Sequence, residues 1–144
     1  MIPKLYSFWR SSAAFRVRIA LNLKGMDYEI IPVHLGKNGG EQTSQAYSNK
    51  NPNKLVPLYE FGEIKIHQSL AIIEYLDEAQ PMPALLPKSA IDRAWVRSIA
   101  MDISSDIHPL NNVRVLRYLI KKLGISNEAK DEWYQHWVKV GLES

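Results

Sequence analysis

Cysteine is absent from the 144 residues, and that absence removes disulfides, thiolate metal sites and any redox cycle run on the protein's own sulfur. Thiol chemistry here needs a sulfur brought by a small molecule. Histidine is scarce: His34, His67, His108 and His136 lie too far apart for a local zinc motif, and no carboxylate stands at zinc-site spacing from them, so no metal is expected. No window approaches the ~20 apolar residues that a membrane span requires. Met1-Ile2-Pro3-Lys4 shows no basic segment followed by a long apolar stretch, so a cytoplasmic protein without membrane contact is expected. Charge of one sign is not gathered either. The net charge is +3, but Lys and Arg are scattered among Asp and Glu, so nucleic acid is not an expected partner.

What is present is a composition that buries a core: 46% of residues are hydrophobic and 23% charged. Lys4 to Trp9 and Tyr28 to Val33 are short apolar runs with β-propensity. Between them Phe15, Ile19 and Leu23 recur every four residues and Ala20 widens the stripe, which predicts a helix over Ser11 to Lys24 with that stripe inward. Ser11 or Ser12 caps its start and Gly25 stops it. The unit is βαβ, with parallel strands. A glycine-bearing loop (Gly36 to Gly40) and a weak helical stretch near Gln42 to Tyr47 follow. Leu58 to Phe61 and Glu63 to Ile66 form a hairpin around Gly62, and Ser69 caps a helix carrying Leu70, Ile73 and Leu76.

Gln80-Pro81-Met82-Pro83 and Pro87 mark a stiff connection, which divides the chain into residues 1–80, a linker 81–87 and an all-helical part 88–144. In the last part Ser89 with Asp92 resembles a capping box, and Ile91, Trp95, Ile99, Ile103 and Ile107 give a four-residue apolar spacing. Pro109 predicts a kink near Ile107 to Leu110. Val113, Leu116 and Leu119 continue the apolar face, Gly124 ends the helix, and Trp133, His136, Trp137 and Val140 line a final amphipathic helix without an evident packing partner. Trp95, Trp133 and Trp137 are expected in the core.

Ser11-Ser12-Ala13-Ala14-Phe15-Arg16-Val17-Arg18-Ile19-Ala20-Leu21 closely resembles the signature of the zeta-class glutathione transferases, the maleylacetoacetate and maleylpyruvate isomerase type. Asn51-Pro52 with Val56-Pro57, then Ile66-His67-Gln68-Ser69-Leu70-Ala71-Ile72-Ile73-Glu74-Tyr75-Leu76, then His108-Pro109-Leu110-Asn111-Asn112 follow in the family's order and spacing. The resemblance covers nearly the whole chain. Two departures stand out: Ala13 occupies the place of the family's usual cysteine, and the family's helical part continues beyond what residue 144 allows. The resemblance implies a thioredoxin-like βαβ–ββα domain followed by an incomplete all-α domain, glutathione as cofactor, and a homodimer.

It also implies roles. Ser11 donates its hydroxyl proton to the glutathione sulfur, with Ser12 as the second candidate; taken without the family, the pair reads as helix caps. Val56-Pro57 resembles the cis-proline turn whose first residue offers backbone N–H and C=O to the bound peptide, although an X-Pro bond by itself is usually trans. Gln68 and Ser69 open a helix toward the γ-glutamyl carboxylate. Gln42, Lys54, His108 and Asn112 are further cofactor contacts, while Arg10 and Arg114 are candidate clamps for a dicarboxylate substrate, because guanidinium presents paired donors. Arg16 and Arg18 are expected as surface or interdomain salt partners. The implied reaction is cis–trans isomerisation of a maleyl keto acid. Conjugation or dehalogenation of small α-halo acids, and glutathione binding without catalysis, are the alternatives.

Overall fold

At Ser11 the chain turns from extended to helical backbone: its N–H donates to Phe8 O (2.9 Å) and its hydroxyl oxygen accepts from Ala14 N–H (3.1 Å). In the computed structural model, which describes residues 1–144, this cap separates strand β1 (Lys4–Ser7) from helix α1 (Ser12–Leu23). Strand β2 (Glu29–Pro32) returns parallel to β1, with Leu5 opposite Ile30. Two 3-10 turns, Lys37–Gly39 and Glu41–Thr43, lead into the short helix α2 (Gln45–Ser48). Strands β3 (Leu58–Phe61) and β4 (Ile64–His67) pair antiparallel around Gly62, whose φ of +61° is the left-handed conformation a tight turn needs. Helix α3 (Ser69–Ala79) follows. The sheet order is β2-β1-β3-β4, a mixed sheet in the thioredoxin-like βαβ–ββα order. One core cluster, with Leu5, Val17, Leu21, Tyr59, Ile72 and Leu76, joins α1 and α3 to the sheet; another gathers Tyr6, Val33, Tyr47, Val56 and Leu58.

The inward face of α1 differs from the expected one. Ala13, Ala14, Val17, Ala20 and Leu21 are buried, whereas Phe15, Ile19 and Leu23 are 54%, 43% and 60% exposed. The helix is apolar on two faces, so periodicity identifies both stripes without choosing between them; the smaller side chains face the sheet and α3. Leu21→Ala is therefore expected to cost about 2–5 kcal/mol of unfolding free energy, while Leu23→Ala stays within about 0.5 kcal/mol. Urea denaturation of the two variants, yielding equal losses, would contradict this orientation.

A second correction concerns α3. The cap position is Gln68, at φ +70° and with no side-chain cap bond, so Ser69 is the first helical residue and not the cap.

The chain divides into two compact units, Met1–Leu86 and Pro87–Ser144. The second is all helical. Ser89 begins α4 (Ala90–Met101) by accepting from Asp92 N–H (3.1 Å) and donating to the Asp92 carboxylate (2.6 Å). The expected kink starts earlier than Ile107: the helix widens into a π segment at Asp102–Ile107 and tightens into a 3-10 segment at His108–Asn111. Pro109 has no N–H and its ring crowds the carbonyl one turn back, so the distortion spreads toward the N-terminus. Asn112 and Ser126 then cap α5 (Val113–Lys121) and α6 (Asn127–Glu143). Helix α6 does find a partner, the bend itself. Trp133 Nε1–H donates to Leu110 O (2.9 Å), and at Gly141 a Cβ would stand 2.2 Å from Ile107 Cγ1, closer than any side chain tolerates. Trp95, expected in the core, is 66% exposed on α4, beside Ile91 and Ile99 at 76% and 43%. No helix is long and apolar enough to cross a membrane.

Candidate functional site

Strand register brings the first unit's candidates to one end of the sheet. Tyr6 pairs with Leu58, and Leu58 pairs with His67. The chain therefore leaves β1 toward Ser11, enters β3 from Val56-Pro57, and leaves β4 toward Gln68-Ser69 at the same edge. Because β2 runs parallel to β1, with Ser7 opposite Pro32, the loop that carries Gln42 departs there as well. Residues that are 58 positions apart in sequence, Ser11 and Ser69, thus serve two helix N-termini opening on one corner. Free N–H groups and the positive ends of two helix dipoles favour anions at such a place.

The hydroxyls are prepared as donors. Ser11 Oγ already accepts from Ala14 N–H, so its O–H proton is left to point outward. Ser69, buried, accepts from Arg16 Nη1 at 3.0 Å, which leaves its own proton to donate in the same way. This overturns the expectation for Arg16 as a surface or interdomain salt partner: it is half-buried, and burial pushes its guanidinium below the ordinary value. A cation that has lost part of its water stands directly behind Ser69. Arg18 likewise reaches back within its own unit, donating to Ser7 Oγ (3.1 Å) and Trp9 O (3.4 Å). Position along the helix decides this, not side-chain type.

The Val56-Pro57 peptide bond is cis. No backbone hydrogen bond engages Val56 N–H or C=O, so both groups are available to an extended peptide laid beside them. The preceding carbonyl, of Leu55, is held twice, by Tyr47 O–H (2.6 Å) and by Asn51 Nδ2–H (2.8 Å). Burial pushes the Tyr47 phenol up to about 12, so it remains a protonated donor. Asn51 is 2% exposed and also accepts from Asn53 N–H (3.2 Å), which shapes the Asn51-Pro52 turn. Asn51-Pro52 belongs to the motif that resembles the family, but this work of Asn51 is not evident from the motif. The available signal was an Asn ahead of a proline, a combination that favours local side-chain to backbone bonding.

Two non-glycine residues around this corner, Lys54 (φ +54°) and Gln68 (φ +70°), hold conformations that cost on the order of 1–3 kcal/mol and that concentrate at ligand-binding positions. Gln42 is 5% exposed, and its Oε1 has no hydrogen-bond partner. A buried acceptor of this kind costs about 1–3 kcal/mol unless a donor arrives. Ser12, Arg10 and Lys54 are exposed, with the Arg10 guanidinium over the Trp9 ring at 5.6 Å.

The candidates of the second unit, His108, Asn112 and Arg114, share the bend around Pro109. Asn112 Oδ1 accepts from Arg114 N–H (3.0 Å) and so caps α5; its amide N–H groups remain for other partners. Arg114 is exposed and His108 is half-buried. His, Asp and Glu side chains form no group of three or more that could hold a metal ion.

Residues 1–78 match the family model described as glutathione S-transferase, N-terminal domain. A probable maleylacetoacetate isomerase of Vibrio cholerae is 51% identical over 139 residues, which are 96% of this chain and 65% of that protein. The chain thus spans about two thirds of that relative's length. Among solved structures, a maleyl pyruvate isomerase described as a bacterial zeta-class glutathione S-transferase superposes with a TM-score of 0.93 at 47% identity, over 97% of this chain and 65% of that one. A maleylacetoacetate isomerase from Methylobacterium extorquens AM1, solved with malonate and glutathione bound, gives a TM-score of 0.93 at 40% identity over the same shares.

Proposed function

The chain belongs to the glutathione S-transferase family, and from that premise we propose that it is a zeta-class member that binds glutathione and isomerises a maleyl keto acid, maleylacetoacetate or maleylpyruvate. One observation carries the reading: the capped Ser11 hydroxyl, the cis Val56-Pro57 turn and the Arg16-backed Ser69 open on the same end of the sheet. These residues fit glutathione, a peptide with a sulfur and two carboxylates. Val56 N–H and C=O are matched to its cysteinyl backbone, Ser69 and the N-terminus of α3 to a carboxylate, and Gln42 Oε1 to an N–H donor, which would relieve its buried, unpartnered state.

When bound, glutathione supplies a reversible sulfur nucleophile, the chemistry that makes a cis double bond a rotatable single bond and restores it as trans. The protein's share is electrostatic. Ser11 O–H and the first N–H groups of α1 hold a sulfur anion and lower its pKa from the ordinary thiol value of ~8.5. Ala13 leaves no enzyme thiol beside them. Arg10 and Arg114 are assigned to the substrate carboxylates by donor chemistry, and Lys54, Gln68, His108 and Asn112 to further glutathione contacts. The division into residues 1–80, 81–87 and 88–144, a cytoplasmic location and a homodimer belong to the same reading; the exposed Ile91, Trp95 and Ile99 on α4 support association.

The test is the 144-residue chain itself, first on immobilised glutathione and then with each maleyl keto acid, with and without glutathione. Retention on the resin and glutathione-dependent isomerisation are expected. An α-halo acid assayed in parallel separates the transferase alternative. Retention without turnover of any substrate leaves a binding protein, and absence of retention removes the reading altogether.

A further inference from the structure

Val56 N–H is left open by the backbone hydrogen bonds of the sheet and its turns, so its value to a ligand depends on where it points. That direction is set on the far side of its own peptide group. The Leu55–Val56 bond is trans, which places the Leu55 carbonyl and the Val56 N–H in one plane and aims them in opposite directions. Whatever holds the carbonyl therefore aims the N–H. Tyr47 O–H and Asn51 Nδ2–H both donate to Leu55 O, at 2.6 Å and 2.8 Å, and together they use both lone pairs of that oxygen. A single donor satisfies a carbonyl but lets the plane swing about the bond; a second one, arriving from another residue, stops the swing.

Both donors are themselves fixed. Tyr47, on α2, is 6% exposed, and its ring stands edge-on to Tyr6 of β1 at 5.8 Å between centroids. Asn51 donates its own N–H to Tyr47 O (2.9 Å) while its Oδ1 accepts from Asn53 N–H (3.2 Å), so turning the carboxamide over would set oxygen against oxygen at Leu55. The line of support runs from the sheet through Tyr47 and Asn51 to Leu55 O. We propose that Tyr47 and Asn51 are positioning residues for ligand binding: they aim Val56 N–H at the carbonyl of an extended cysteinyl peptide and, by polarising the shared amide group, strengthen it as a donor. The identity of that peptide rests on the glutathione reading above.

Tyr47→Phe keeps the ring against Tyr6 and removes one donor. Asn51→Asp keeps an acceptor for Asn53 N–H but puts a carboxylate oxygen where the other donor stood. The reference probe is γ-glutamylcysteamine, which has the γ-glutamyl group, the central N–H and the thiol of glutathione and lacks the glycine and the carbonyl that Val56 N–H would meet. In titration calorimetry of the 144-residue chain, glutathione affinity is expected to fall by about three- to tenfold in Tyr47→Phe and by more in Asn51→Asp, whereas γ-glutamylcysteamine affinity changes by less than about twofold in Tyr47→Phe. A domain that had only been loosened would weaken both probes alike. Without ligand, the residual dipolar coupling of Val56 N–H should change in Tyr47→Phe while those of Leu5 and Tyr59 in the sheet stay as they are. Equal losses for the two probes, or an unchanged Val56 coupling, overturn the proposal; if Asn51→Asp fails to fold, Tyr47→Phe decides alone. Should neither probe bind the unmodified chain, the glutathione reading fails by itself, and the Val56 coupling still decides whether Tyr47 and Asn51 aim that N–H.

Discussion

Under the proposed function, replacing Ser11 by Ala is expected to lower glutathione-dependent turnover by about 10²–10³-fold, the usual loss when one donor aimed at an anion is removed. The same change should cost only about 1 kcal/mol of stability, because Ser11 Oγ also caps α1 by accepting from Ala14 N–H. Ser11→Gly separates these two roles. Glycine preserves most of the cap, at a cost of a few tenths of a kcal/mol, but has no hydroxyl. Both variants should lose turnover alike, while only Ser11→Ala shows a lowered denaturation midpoint. Turnover close to normal in Ser11→Gly would remove Ser11 from the sulfur and leave it as a cap alone. Ser12, exposed at the first helical position, would then be the donor to test.

Lys24→Met is expected to destabilise the first unit by about 3–5 kcal/mol, the range found when one partner of a buried ion pair is removed. The Lys24 side chain is 0% exposed and forms an ion pair with Asp77 Oδ1, itself only 13% exposed. Its ammonium also donates to Gln80 O (2.7 Å) and Pro83 O (2.6 Å), so all three protons are used. Asp77 Oδ1 accepts in addition from Leu85 N–H (2.9 Å), and Gln80 Nε2 donates to Lys24 O (2.6 Å). The cluster ties the ends of α1 and α3 to the segment that follows them. Truncation leaves a carboxylate without its cation and two carbonyls without a donor. Lys24→Met combined with Asp77→Leu should recover part of the loss, since no uncompensated charge then remains. A shift below about 1 kcal/mol for Lys24→Met in guanidinium chloride denaturation would show that water reaches the pair after all.

The two tether points on α1 have a common geometry. Arg16 reaches Ser69 and Lys24 reaches Asp77, each across 53 residues of sequence. Eight residues separate the tethers on both helices, a rise of roughly 12 Å. The helices therefore run in the same direction in one register, and that register brings their N-termini to the same corner. Charged side chains on helices normally belong to solvent. Here two of them fix the spacing of the candidate site.

How much of this was legible in advance depends on the range of the physics involved. The Ser11 cap, the hairpin at Gly62, the bend at Pro109 and the cap at Ser89 are local events, decided by side chains within four residues of one another. The motif Ser11-Ser12 through Leu21, with Val56-Pro57 and Gln68-Ser69, was legible as a resemblance to the family, and strand register brings those segments to one end of the sheet. The inward face of α1 was not legible. Two apolar stripes share the helix, and only the surface it docks on selects Ala13, Val17 and Leu21 over Phe15, Ile19 and Leu23. For the same reason Trp95 belongs to an exposed face despite its apolar spacing with Ile91 and Ile99.

The sequence by itself determined the βαβ–ββα order and the absence of any cysteine sulfur. Tertiary structure alone decided that Arg16 stands behind Ser69 and that Lys24 is buried on Asp77. Each of these pairs spans 53 residues of sequence, and no local propensity encodes a distance that chain folding creates.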